Sequence, residues 1–89
     1  MAKMLKTIWK FKLSVTAGIQ TVSLPADAKV VHMDVQDNTP CIWVLLDPNM
    51  PTKQRDVLCF GTGHEVLASA DRHIGTVLIG PFVWHYFWG

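Results

Sequence analysis

Pro40-Cys41-Ile42-Trp43-Val44-Leu45-Leu46-Asp47-Pro48 holds six consecutive apolar residues, fenced at both ends by proline and turn formers. The run is far shorter than the ~18 residues of a membrane span. Rich in strand formers, it reads as a strand covered on both faces, and the flanking segments supply what packs around it. Immediately before it, Asp37-Asn38-Thr39-Pro40 is a strong turn signal. That turn joins the run, as a hairpin, to an alternating stretch from Lys29 to Asp37. Val31, Met33 and Val35 are expected to face the core there, and His32, Asp34 and Gln36 the solvent.

Further upstream, Thr7 to Ser14 alternates, with Trp9, Phe11 and Leu13 on one side and Ile8, Lys10 and Lys12 on the other. A strand with one wet face accounts for this pattern. Thr16-Ala17-Gly18 is expected to turn the chain into a short strand from Gln20 to Leu24, with Val22 and Leu24 inward. Pro25-Ala26-Asp27-Ala28 makes the next turn. Downstream, Pro48 to Gln54 holds two prolines and no periodicity, so it reads as a surface loop before a fifth strand, Arg55 to Phe60. Glu65 to Arg72 forms either one helical turn or an irregular connection. Ile74 to Ile79 and Phe82 to Trp88 are the last strands, divided by Gly80-Pro81.

Seven short strands at about ten-residue spacing, with turn signals between them, indicate an all-β fold, a small antiparallel sandwich or barrel. The 89 residues are expected to form a single domain, 1–89, burying roughly 60 to 65% of the surface its unfolded chain exposes. Hydrophobic residues make up 49% and charged ones only 17%, and four residues are tryptophan, so the apolar surplus is expected in an interface or a ligand groove. Phe82, Trp84, Tyr86 and Trp88 alternate with Val83, His85 and Phe87, which makes both faces of the last strand apolar. A second copy is therefore expected to cover one of them, with Phe82, Trp84, His85, Tyr86 and Trp88 at the homo-oligomer interface.

A net charge of +1 with interleaved signs gives no sustained field for nucleic acid. Neither a signal peptide nor a membrane span is read in the sequence, so the expected location is the cytoplasm. Cys41 and Cys59 lack metal-site spacing and sit in apolar runs, which makes them buried thiols.

Thr7-Ile8-Trp9-Lys10-Phe11, Pro40-Cys41-Ile42-Trp43, Leu46-Asp47-Pro48, Gly61-Thr62-Gly63-His64, Ile74-Gly75-Thr76 and Val83-Trp84-His85-Tyr86-Phe87 resemble, in order and spacing, a family of small uncharacterised proteins encoded by tailed phages and prophages. The resemblance covers nearly the whole chain. It implies a viral origin and a compact all-β domain, and it implies no reaction; with a viral origin, the cytoplasm expected above is that of the host. The chain departs from it at Glu65 and Ala70-Asp71-Arg72-His73, in a connection where the relatives vary.

Gly61-Thr62-Gly63-His64 is the most site-like stretch. Two glycines at i and i+2 let successive N–H groups turn toward one point as an anion nest, with the Thr62 hydroxyl and the His64 imidazole as added donors. Arg72 and His73 are expected to fold back over it, and Trp43 to offer a stacking surface. The same glycines also suit a plain structural corner, and the spacing of a P-loop is missing. The four histidines show no metal-ligand spacing. No hydroxyl or thiol nucleophile sits in a recognisable elbow, and paired carboxylates are absent, so neither an enzyme nor a cofactor or metal is expected.

These readings converge on a phage-encoded binding protein. It would capture a small anionic, nucleotide-like ligand and sequester a nucleotide-derived host immune signal, with neither nucleic acid nor membrane as partner. The alternatives are an interaction module that docks onto a host or virion protein, and a small hydrolase of such a signal.

Overall fold

The computed structural model describes residues 5–15 and 18–89. These residues form seven strands and no helix: β1 (Thr7–Lys12), β2 (Gly18–Pro25), β3 (Lys29–Gln36), β4 (Thr39–Leu46), β5 (Thr52–Gly61), β6 (His73–Ile79) and β7 (Phe82–Trp88). The apolar run is the middle strand of a three-stranded sheet ordered β1-β4-β3, and a four-stranded sheet ordered β2-β5-β7-β6 faces it. Of the two forms expected, the fold is the sandwich. Every pairing is antiparallel.

Alternation along each strand decides which side chains fill the space between the sheets. Ile42, Val44 and Leu46 of β4 point inward against Leu24, Val57, Cys59, Val77, Tyr86 and Trp88, and all are buried. In β1, Phe11 pairs with Ile42, and Lys10 and Lys12 pair with Trp43 and Cys41 on the outer face, as the alternation predicts. The β3–β4 hairpin turns on Asp37 and Asn38, both with positive φ (52° and 61°), the backbone that a two-residue type I′ turn requires.

The structure corrects three local expectations. A bulge between Val30 and His32 shifts the register of β3, so Val30 rather than Val31 packs on the core and Val31 is exposed. The bulge adds one residue, and one residue flips the face. Thr52, Lys53 and Gln54 pair with Pro25, Leu24 and Ser23, so β5 starts earlier than the two prolines predict. Residues 65–72 take the irregular form of the two expected for them. Of the predicted turn at Thr16-Ala17-Gly18, Thr16 and Ala17 lie outside the described residues, and Gly18 opens β2.

A second bulge, between His73 and Gly75, sets what β6 presents. His73 and Thr76 are three apart and in a regular strand would face opposite ways. With the extra residue, His73 pairs with Phe87 and Thr76 with His85, so both reach the outer face of the sheet. Gly75 is turned inward, where a Cβ would stand 2.7 Å from the Met33 sulfur. Here β3 and β6 approach too closely for any larger residue.

Tyr86 ties the layers together. Its hydroxyl donates to the Ser14 carbonyl (3.0 Å), which also accepts from the Gln20 side chain (3.1 Å). The end of β1 is thereby fixed over the four-stranded sheet. Burial and the neighbouring Cys59 thiol push the Tyr86 phenol far above the ordinary tyrosine range, and burial pushes Cys59 up from 9.0. Both groups therefore favour the neutral form when folded. Their contribution to stability is complete below the unfolded values of about 9 and 10 and is lost as pH rises toward the folded values. Denaturation measured across pH is expected to show stability level to about pH 9 and falling above it, with phenolate absorbance silent until unfolding. Tyr86→Phe should cost ~0.5–1.5 kcal/mol at neutral pH and flatten the alkaline fall.

Two clefts and a polar relay as the candidate functional site

At the end of the sandwich where β3 and β6 begin and β7 ends, a cleft of about 350 Å³ opens between the sheets, lined by Ala28, Lys29, Val30, Arg55, Arg72, His73, Ile74 and Trp88. Arg55 pairs with Val22 and lies in phase with the inward residues Val57 and Cys59, so the alternation of β5 carries a cation toward the interior. Its guanidinium carbon sits 3.8 Å above the Trp88 ring. Such stacking is worth ~0.5–1 kcal/mol or more when partly desolvated, and it holds the cation at the cleft. Three cations, Lys29, Arg55 and Arg72, line this cleft with no carboxylate among them. None forms an ion pair among the described residues. Asp27, next to Ala28 in the chain, is engaged by Lys6 (3.5 Å) and by the Asp47 N–H (3.1 Å).

A second cleft, of about 440 Å³, lies at the other end of β7, between Gly61, Thr62 and His64 and the hairpin residues Pro81, Phe82, Val83 and Trp84. The turn that forms its wall is not an anion nest. Thr62 N–H donates to the Val83 carbonyl (3.2 Å), His64 N–H to the Gly61 carbonyl (3.0 Å) and Gly61 N–H to His64 Nδ1 (3.0 Å). Of the four N–H groups, only that of Gly63 lacks an acceptor among the described residues. The glycines are needed all the same. A Cβ on Gly61 would lie 2.8 Å from the His64 ring, and Gly63 has φ +89°.

Four polar side chains join the two clefts along the outer face of the four-stranded sheet. His73 Nε2 meets Thr76 Oγ1 at 2.9 Å, Thr76 Oγ1 meets His85 Nδ1 at 3.0 Å, and His85 Nε2 meets Thr62 Oγ1 at 2.7 Å. Each hydroxyl can donate one hydrogen and accept two, and each neutral imidazole carries one N–H, so the direction of each bond follows the tautomers of His73 and His85. Three of the stretches quoted above, Gly61–His64, Ile74–Thr76 and Val83–Phe87, meet here.

The residues expected to form one ligand site are thus divided among three places. Gly61, Thr62, Gly63 and His64 belong to the second cleft and its wall. Arg72 and His73 line the first cleft, roughly 13 Å away at ~3.3 Å per strand residue, and do not fold over the glycines. Trp43 lies in the other sheet, on its outer face beside His32 (ring centroids 5.3 Å apart), and lines neither cleft. Of the residues expected at an interface, Tyr86 and Trp88 are buried within the chain itself, covered by the opposing sheet. Phe82 is exposed, and Trp84 and His85 are half-buried. Cys41 and Cys59 are buried free thiols, as predicted. Among the described residues no cluster fit for a metal ion occurs and no helix is long and apolar enough to cross a membrane.

Sequence reading missed Lys29, Arg55 and Thr76. Only Arg55 had a local signal, its in-step position with the inward residues of β5. The turn itself can be tested through its steric lock. Gly61→Ala should expel the His64 imidazole, lose the Gly61 N–H bond and lower stability by ~1 kcal/mol. His64→Ala should cost less, because water can reach the freed N–H; urea denaturation of the two variants checks the order.

No curated protein and no solved structure matches the chain. A family model described as Domain of unknown function (DUF7352) matches residues 4–89, and the chain belongs to that family.

Proposed function

We propose that the protein binds a small anionic, nucleotide-like ligand in the first cleft. The observation that carries this reading is the convergence of Lys29, Arg55 and Arg72 on one cleft with no carboxylate in its lining. Three like charges held together repel one another, an arrangement that an anion relieves. The volume lies within the range of small-ligand sites. Arg55, backed by Trp88, is a plane on which a base can stack, while Arg72 and Lys29 suit phosphate groups.

Two further parts of the reading rest on the resemblance to tailed-phage and prophage proteins and on the chain's chemistry. The protein is phage-encoded and acts in the host cytoplasm, where it sequesters a nucleotide-derived immune signal; tight binding without turnover is enough for that task. It also works as a homo-oligomer. On the four-stranded sheet Ile19 and Leu78 leave apolar area open on the outer face, and Phe82 does so at the hairpin end of β7.

Calorimetric titration with pyrophosphate, ADP-ribose derivatives and cyclic dinucleotides tests the cleft. Heat release of the bound compound distinguishes storage from turnover: an intact compound supports sequestration, and an altered one favours the hydrolase alternative. Arg72→Ala should weaken binding ten- to a hundredfold, the equivalent of ~1.5–3 kcal/mol for a hydrogen bond to a charged group. Its melting temperature should stay nearly unchanged, since Arg72 is exposed. Arg55→Ala should weaken binding and also loosen Trp88. Affinity unchanged in both variants would place the ligand elsewhere, and a monomer mass by light scattering at micromolar concentration would remove the oligomer.

A further inference from the structure

We infer that the second cleft is a binding site for a small, uncharged aromatic or heteroaromatic ring. The site is separate from the anion cleft and uses none of its residues. The observation is an aromatic-walled cleft of about 440 Å³ with no Lys, Arg, Asp or Glu in its lining. Its volume lies within the range of small-ligand sites.

The cleft exists because one sheet outruns the other. Phe82, Trp84, Tyr86 and Trp88 form the inward row of β7, and along this row exposure rises toward the hairpin. Trp88 and Tyr86 are buried, Trp84 is half-buried and packs on the core, and Phe82 is 61% exposed. The three-stranded sheet therefore covers the row only as far as Trp84. Phe82 contributes little to the interior from there, and an apolar ring that enters the cleft displaces water from both aromatic side chains.

Two turns set the walls. Gly80, with φ +58°, and Pro81, whose ring fixes its own φ, lead into Phe82 on one side. On the other side His64 N–H donates to the Gly61 carbonyl and Gly61 N–H to His64 Nδ1, while Thr62 N–H donates to the Val83 carbonyl and ties this turn to β7. The walls are thus built in advance, and a guest has few side chains left to order.

Trp84 is the ring that the other two share. Its centroid lies 6.3 Å from that of Phe82 with the planes at 46°, and 6.1 Å from that of His64 with the planes at 69°. Neither neighbour stacks flat on it. Aromatic faces therefore stay open to a planar guest, in offset-stacked or edge-to-face contact. Charge complementarity sets the class of guest: a carboxylate or phosphate would lose its hydration with no cation to replace it, whereas an uncharged ring gives up little. One hydrogen-bonding position remains. The Gly61 N–H can only donate, so Nδ1 of His64 accepts, and the proton of the neutral imidazole is on Nε2, which has no partner among the described residues. A guest that carries a carbonyl or ring-nitrogen acceptor can use it.

The test is titration of the full chain with benzamide, benzoate, cyclohexanecarboxamide and choline, read by saturation transfer to the ligand and by the tryptophan indole signals in heteronuclear NMR spectra. Benzamide is expected to bind with Kd ~1 mM, the order for so small a ligand. Benzoate, which adds a charge, and cyclohexanecarboxamide, which removes the planar ring, should each bind about tenfold more weakly or worse. Phe82→Ser should weaken benzamide about three- to tenfold with the melting temperature unchanged, since Phe82 is exposed, and Phe82→Tyr should retain the affinity. His64→Phe keeps an aromatic wall and removes the donor, so it should weaken benzamide about two- to tenfold. Cyclohexanecarboxamide binding as well as benzamide, choline binding better, or benzamide affinity undiminished in Phe82→Ser would each overturn the assignment. Arg72→Ala separates the two clefts: it should leave benzamide affinity as it is, and a loss there would put the ring against Arg55 in the first cleft and overturn the second site.

Discussion

The structure depends on a single layer of side chains between two sheets. Ile42, Val44 and Leu46 of β4 face Leu24, Val57, Cys59, Val77, Tyr86 and Trp88, with Leu13 in the same buried cluster and Phe11, Val22, Val30 and Met33 packed against it. In a chain of 89 residues this layer supplies most of the apolar burial, at ~25 cal/mol per Å² removed from water. It leaves little margin for a polar intrusion. Tyr86 is the exception that the layer tolerates, because its hydroxyl has a fixed acceptor in Ser14. The bond also holds the corner where the chain leaves the three-stranded sheet.

The fold class was legible because strand periodicity and turn chemistry are local properties. Asp37-Asn38 specifies its hairpin within a few residues, and the alternation of Thr7 to Ser14 and of Phe82 to Trp88 survives intact in the sandwich. What local reading misses is a slip of one residue. Nothing in Lys29 to Gln36 announces that Val31 will be bulged outward, since Val30 and Val31 are equally apolar and equally β-branched. The choice is made across the sheets, where Val30 meets the core and β3 must approach Gly75. Likewise the phase of β5 could be read, but the prolines at 48 and 51 hid its first turn of pairing with β2.

The site was less legible for the same reason. The first cleft and the polar relay both draw on strands distant in sequence: Lys29, Arg55, Arg72 and Trp88 come from four segments, and Thr62, Thr76 and His85 from three. The glycine-rich turn was visible, but its chemistry was not. Whether the Gly61 N–H is offered to a ligand or used internally depends on where the His64 ring falls, a rotamer outcome that no spacing encodes. Tyr86 and Trp88 looked like interface residues because both faces of β7 are apolar. In the structure one face is the interior itself, and only the outer row with His85 and Phe87 remains to be explained.

That outer row is where the strand bulge acquires a chemical consequence. Without the extra residue at Ile74, Gly75 would pair with His85, and Thr76 would turn inward against the core. His85 would then lose the partner on its Nδ1, and an imidazole free to rotate on an exposed sheet has no reason to keep Nε2 toward Thr62. The same bulge brings His73 and Thr76 to one face, so that a histidine lining the cationic cleft is hydrogen-bonded through a hydroxyl to a histidine beside the aromatic one. A defect in the ladder that weakens one pair of backbone hydrogen bonds thus orients four side chains. The backbone loss is small, because the bulge lies at the start of an edge strand, where water replaces the missing partner.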